Sequence, residues 1–233
     1  LPDKSYTMRY VSMTEQQLKM YNEIRHEALT MLDNGELITT QNIMTQMLRL
    51  QQVLSGHLTT DNGDLVQVDT KRIQAVLDII DETEGKVLIW SRFRNDIQQL
   101  QESLSKKFPN QVACYYGSTP DSERQDIVTE FQDPDSRLRF FIGNPQTAGY
   151  GLTLTEANTV IYYANDFNLE TRIQSEDRCH RIGQKNPVTY IDLITNDTID
   201  ETIVKALRNK IDLGAKVLKE EARQWLKITP SKY

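Results

Sequence analysis

The chain has 233 residues and a formal net charge of −6, enough for one sizeable α/β domain with an extension, or for two small domains. An acidic balance argues against holding nucleic acid by bulk electrostatics, but it leaves room for a local groove made by helix N-termini and a few arginines. No apolar run approaches the roughly 20 residues of a membrane span and no basic-then-apolar leader is present, so an intracellular location is expected, cytoplasmic or nucleoid-associated in a bacterium or virus and nuclear in a eukaryote.

Residues 1–12 open on Leu1-Pro2 without an initiator methionine, as expected of a piece of a longer protein, and read as an extended arm because Tyr6, Met8 and Tyr10 alternate with polar neighbours. Thr14-Glu15-Gln16-Gln17 has capping-box form, and Leu18, Tyr21, Ile24, Ala28, Leu29 and Leu32 follow helical spacing until Asn34-Gly35. A second helix is predicted over 40–55, with Ile43, Met47, Leu50 and Leu54 as a packing stripe. Asp61 to Asp64 form a turn, after which Asp69 is expected to cap a helix over 70–81. Its end, Ile79-Ile80-Asp81-Glu82, looks like an acidic box that holds magnesium. Such a box belongs after a Gly-x-x-x-x-Gly-Lys-Ser/Thr loop, which the sequence lacks, so residues 81–84 read as a helix end.

From Lys86 onward strand and helix alternate. Residues 87–90, 112–115, 138–142, 160–163 and 188–193 read as strands, which predicts a mainly parallel sheet covered by helices on both faces, with ligands at the carboxyl ends of the strands. Cys114 and Cys179 lack metal-ligand spacing and read as reduced packing residues, with no metal site. Gly117 to Asp121 follow the second strand. Ser118 and Thr119 there either seat a phosphate with the amides of the next helix or merely turn and cap it. Gly149 and Gly151 let the backbone between Thr147 and Leu152 approach a phosphate closely. Gln174, Arg178 and Arg181 stand at i, i+4 and i+7 of a predicted helix stopped by Gly183, so an amide and two guanidinium groups share a face. Two planar cationic forks suit a transferring γ-phosphoryl group; the alternative is a solvated helix whose arginines pair with Glu176 and Asp177. His180 packs or hydrogen-bonds within this stretch. Residues 197–219 are predicted as one long helix with Lys205, Arg208 and Lys210 on a solvated face, and Trp225 falls in a tail the sequence does not place.

Four stretches carry a resemblance in a fixed order: KVLIWSRF (86–93), YGSTPDSERQDIVTEFQ (116–132), TAGYGLTLTEANTV (147–160) and QSEDRCHRIGQ (174–184). Together they resemble the C-terminal RecA-like lobe of superfamily-two helicases, in the form found in Swi/Snf-type DNA translocases and chromatin-remodelling ATPases. The resemblance implies an inter-lobe arm and helical segment over 1–84, the RecA-like lobe over 85–196 and a closing helix and tail over 197–233. It implies that Arg178 and Arg181 act on ATP with Gln174 orienting nearby groups, that Gly149 and Gly151 lie toward the nucleotide, and that Ser91, Arg92, Gly117, Ser118, Thr119 and Thr147 follow DNA phosphates. Arg124 and Gln125 would brace their loop. ATP and Mg2+ would be held mainly by an N-terminal RecA-like lobe that this chain lacks, with neither tightly bound here, so the isolated chain is expected to be inactive. The partners implied are double-stranded DNA and that first lobe. Asp166-Phe167-Asn168-Leu169 departs from the usual Trp-Asn-Pro wording. Other classes considered are a strand-separating DNA or RNA helicase lobe and a non-catalytic module that binds DNA or a partner.

Overall fold

In the computed structural model, residues 1–36, 39–148, 151–213 and 219–230 are described. They form two units that interleave along the chain, one of Leu1–Arg9, Ile73–Asp166 and Glu170–Leu193, the other of Tyr10–Arg72, Phe167–Leu169 and Ile194–Tyr233.

The first unit is built on strands β1 (Lys4–Tyr10), β4 (Lys86–Ser91), β5 (Val112–Tyr115), β6 (Phe140–Gly143), β7 (Ala157–Ala164) and β8 (Val188–Ile194), in the order β1-β8-β7-β4-β6-β5. The pairs β4–β6, β4–β7, β5–β6 and β7–β8 are parallel. The expected arm is extended, and it is also the edge strand of this sheet: Val188 N–H donates to Asp3 O and Ser5 Oγ to Thr189 Oγ1, so β1 and β8 rise together. Every residue of β4 is buried. Leu88, Trp90, Phe141, Val160, Tyr162 and Tyr190 share one core cluster with Val128 and Phe131 of α5 (Asp121–Gln132), while the alternate positions Val87, Ile89, Phe140, Ile142 and Ile161 are buried as well. With period-two side chains, burial at successive positions means that both faces are covered, as parallel strands require. Gly143 lies under Trp90, where a Cβ would come within 2.7 Å of the indole, so only glycine fits at this point of β6.

Cationic side chains satisfy helix ends in this unit. Lys86 Nζ donates to Phe131 O (2.8 Å) and Asp133 O (2.6 Å) at the carboxyl end of α5, and burial lowers its pKa. Helix α3 (Arg72–Asp81) ends where the acidic residues begin, and Arg139 closes it by donating to Thr83 O and Gly85 O. The stretch 81–84 is therefore a helix end. At the start of α3 the capping oxygen is Thr70 Oγ1, which accepts from Arg72 N–H, in place of the expected Asp69.

The second unit is helical. Thr14 and Gln17 form the expected capping box of α1 (Glu15–Asp33), and α2 spans Thr40–Ser55. A hairpin follows, β2 (His57–Thr59) against β3 (Leu65–Gln67), its turn at the residues 61–64 that the sequence marks. Tyr21, Ile24, Ala28 and Leu32 of α1 pack with Met47, Leu50 and Leu54 of α2 and with Phe167, Ile203 and Leu207. Polar side chains fix their relative placement: Gln17 Nε2 donates to the carbonyls of Val53 and Leu54, and Tyr21 Oη accepts from Ile199 N–H. Arg72 is buried and paired with Asp200.

Among the described residues, the single helix expected over 197–219 is interrupted after Arg208. Helix α7 (Ile199–Arg208) closes on Asn209, and Lys210 takes a left-handed φ of 57°, which breaks the helical path. Helix α8 (Lys219–Lys227) follows, with Ala222 and Leu226 in the core and Trp225 packed against it; residues 214–218 lie outside the described residues. No helix among the described residues is long and apolar enough to cross a membrane.

Both cysteines are free and buried, and burial pushes the Cys114 thiol up to about 12 and Cys179 higher still. A thiol reagent at pH 8 is therefore expected to label neither residue in the folded chain and both after denaturation; rapid labelling under native conditions would contradict this packing.

Candidate functional site

The loops that leave the carboxyl ends of β4, β5 and β6 enclose a cleft of about 460 Å³ lined by Arg92, Arg94, Tyr116, Gly117, Ser118, Asn144 and Thr147, with Ile97 at its base. Asn144 organises it. Its side-chain amide donates to Arg92 O (3.0 Å), its Oδ1 accepts from Gln146 N–H (2.8 Å) and Thr147 N–H (3.3 Å), and its own N–H reaches Tyr115 O (3.1 Å). One residue thus ties together the carboxyl ends of β4, β5 and β6, its side chain linking the first to the third and its backbone reaching the second. Burial lowers the Arg92 pKa, offset in part by Asp166, and Arg94 lies over the Tyr116 ring.

Of the residues expected on DNA, Arg92, Gly117, Ser118 and Thr147 meet in this cleft, whereas Ser91 and Thr119 lie behind it. Ser91 is fully buried and its hydroxyl donates to Asp96 (2.7 Å). Thr119 Oγ1 donates to Cys114 O and accepts from Tyr116 N–H, both at 3.1 Å. These hydroxyls shape the loops. Arg124 braces one of them by donating to Thr119 O (3.1 Å), whereas Gln125 bonds along its own helix to Thr129. Arg94, Tyr116 and Asn144 were missed by the sequence reading; the available signal for Asn144 was an asparagine two residues beyond the strand predicted over 138–142.

A second cleft, of about 440 Å³, is lined by Leu1, Asp177, Arg178, His180, Arg181 and Ile182. The helix expected to run through this stretch to Gly183 is α6, and it ends at Glu176 (Leu169–Glu176). Residues 177–183 are turns, closed by Arg178 N–H to Ser175 O, Cys179 N–H to Glu176 O and Gln184 N–H to Arg181 O. Gln174, Arg178 and Arg181 therefore do not share a helix face. Gln174 remains on α6, bonded to Glu170 (2.9 Å), outside the lining of the cleft, while the turn delivers both arginines into it. Arg178 Nε donates to Gln174 O (3.0 Å) and Arg181 Nη1 to Leu152 O (3.1 Å). Leu152 is next to Gly151, which has φ +81° and so needs glycine; Gly149 lies outside the described residues.

Gln184 pins the far end of the turn. Buried, it directs its amide at the carbonyls of Thr155, Ala157 and Cys179 (2.9–3.2 Å) and accepts from Lys185 and Asn186 N–H (3.0 Å each). His180 Nε2 meets Pro2 O at 2.6 Å, a hydrogen-bonding role as expected. Burial, followed by the charge of Arg181, lowers the Arg178 pKa, and Asp177 opposes this. Two like charges held in one open cleft favour an anion. Ile182 beside them is 91% exposed.

Behind the turn lies a network the sequence reading did not find. Arg172 donates to Asp192 (2.6 Å), Asn165 (2.7 Å) and Glu176 (2.8 Å), with its guanidinium 3.6 Å from the centroid of the Tyr162 ring. Burial is the largest influence and opposes its charge, but Asp192, Tyr162 and Glu176 together outweigh it and the pKa is raised. Among the described residues no group of three or more His, Cys, Asp or Glu is placed to hold a metal ion.

Residues 71–183 match the helicase conserved C-terminal domain. The chain is 25% identical over 94% of its length to SWI/SNF-related matrix-associated actin-dependent regulator of chromatin subfamily A member 1 of Mus musculus, of which it spans 22%. By structure it is similar to the C-terminal part of the Fun30 ATPase domain (TM-score 0.74, 22% identity, 97% of each chain covered) and to the Sulfolobus solfataricus SWI2/SNF2 ATPase core solved with dsDNA (TM-score 0.76, 24% identity, 98% of this chain and 51% of that one). The class is thus a RecA-like helicase C-terminal lobe. Its homologues are SNF2-family chromatin remodellers, and its structural neighbours are C-terminal domains of SWI2/SNF2 ATPases.

Arg172→Met would leave Asp192 buried without its cation. Loss of one partner from a buried pair costs about 3–5 kcal/mol, so chemical denaturation of the first unit should shift accordingly; a change below about 1 kcal/mol would mean the pair is dispensable.

Proposed function

We propose that this chain is the second motor lobe of an ATP-dependent double-stranded-DNA translocase. Arg178 and Arg181 would face the γ-phosphate of ATP held chiefly by an N-terminal RecA-like lobe, and Arg92, Gly117, Ser118 and Thr147 would face DNA phosphates. The convergence of both arginines in one cleft carries this reading. A guanidinium fork donates to phosphoryl oxygens without changing protonation, so the pair can bind and orient the anion and meet charge that develops during transfer. Magnesium, held by carboxylates of the other lobe, would neutralise the phosphates. Gly151 and Leu152, beside Arg181, would carry position from the Thr147 loop to the arginine turn. The relative solved with dsDNA supports the DNA assignment. In a eukaryote the relatives named for chromatin support a nuclear location.

Three outcomes are expected. The isolated 233-residue chain should hydrolyse no ATP with or without DNA; turnover that survives removal of contaminating ATPases would overturn the one-lobe reading. In a protein that contains both lobes, Arg178→Ala or Arg181→Ala should lower kcat by about 10³- to 10⁵-fold with DNA affinity within a few-fold, and Arg181→Lys should recover only part of the loss. Normal turnover in either alanine variant would reject the arginine-finger role. Thr147→Ala should weaken DNA stimulation about uniformly across DNA sequences, because phosphate contacts carry no base information. A sequence-dependent defect would point to base readout instead.

A further inference from the structure

Glu176 is both the last residue of α6 and the root of the turn that carries Arg178 and Arg181. Its carbonyl accepts from Cys179 N–H (3.2 Å), His180 N–H (3.1 Å) and the hydroxyl of Tyr190 (2.9 Å). Both of its carboxylate oxygens are used: Oε1 accepts from Arg172 Nε (2.8 Å), and Oε2 from the Tyr6 hydroxyl (2.7 Å) and Lys4 Nζ (3.3 Å). Two of these donors come from β1, 170 and 172 positions away in the chain. The Tyr6 ring stacks on Tyr190 at 5.3 Å, Lys4 also reaches Asp177 at 3.8 Å, and Pro2 O meets His180. Burial and the adjacent Glu176 keep the Tyr6 phenol protonated, hence a donor. A carboxylate held by three donors, two of them cationic, is a stiff joint.

We propose that Glu176 is a positioning residue for Arg178 and Arg181, and that β1 sets that position through Tyr6 and Lys4. The proposal rests on the motor reading above. None of the three residues need touch nucleotide or DNA. Each fixes the root of a turn whose long side chains end in the cleft, so a small shift at Glu176 becomes a larger one at the guanidinium forks. Misplacement of a reacting or stabilising group by about 1 Å can cost on the order of 10²-fold in rate.

Two measurements test it. In this chain, amide hydrogen exchange at Cys179 and His180 should accelerate about tenfold or more in Glu176→Gln and Tyr6→Phe, with the amides of β4 to β7 unchanged. In a two-lobed protein carrying this lobe, the same substitutions should lower kcat by about 10- to 100-fold, leaving KM for ATP and DNA affinity within about twofold. Lys4→Arg should retain activity that Lys4→Met loses. Tyr6→Phe preserves the ring stack, so it decides the matter alone if Glu176→Gln fails to fold. Unchanged exchange at Cys179 and His180 overturns the proposal, as does faster exchange with normal kcat in a protein that Arg181→Ala inactivates. If Arg181→Ala itself turns over normally while exchange accelerates in Tyr6→Phe, the motor reading has failed and the positioning role falls with it, although the joint is real.

Discussion

Arg172 carries its charge inside the first unit, and the candidate nucleotide cleft depends on how that charge is met. Left alone there, a guanidinium would be strongly unfavourable. Asp192 at β8, Asn165 at the end of β7, Glu176 at the end of α6 and the face of Tyr162 enclose it instead. These partners come from three separate elements, so satisfying one charge fixes the end of α6 against the sheet. The arginine turn begins at that fixed end. Its other end is held by the amide of Gln184, which meets three carbonyls.

Between these anchors Arg181 stands close enough to Arg178 to disfavour its charge. Such a pair costs free energy in the absence of an anion, and Asp177 in the same cleft offsets part of that cost. Glu176, the nearest buried carboxylate, is committed to Arg172, Tyr6 and Lys4. Two guanidinium groups against the one carboxylate of Asp177 leave the lining of the cleft net positive. A net charge of −6 and an anion-seeking site are compatible in this way, because the negative residues are distributed while a few cations converge.

The cleft around Asn144 follows the same principle with neutral groups. Asn144 satisfies the backbone of three neighbouring loops, and the hydroxyls of Ser91 and Thr119 are turned inward to do the same. What remains at the surface is Arg92, Arg94, Ser118 and Thr147 beside Gly117. Residue types that resemble phosphate ligands in sequence thus divide into those that build a loop and those that line it.

The sequence by itself determined what period and capping chemistry control: the capping box at Thr14, the buried strands from Val87 onward, the helix end at Asp81 and the two packed thiols. These are short-range consequences of side-chain spacing, and the structure contains them. The four ordered motifs were equally legible, since each is a continuous stretch at or beside a connection between elements of a parallel sheet. Only the tertiary structure decided where α6 stops, which way the hydroxyls of Ser91 and Thr119 point and how Trp225 is placed. Helical spacing from Gln174 to Arg181 is satisfied in sequence, yet contacts to Arg172, Tyr190, Leu154 and Gln184 favour turns after Glu176. Tyr190 and Leu154 lie elsewhere in the fold, Arg172 and Gln184 are themselves held by distant groups, and no local pattern encodes a hydrogen bond whose donor and acceptor meet only once the sheet is formed.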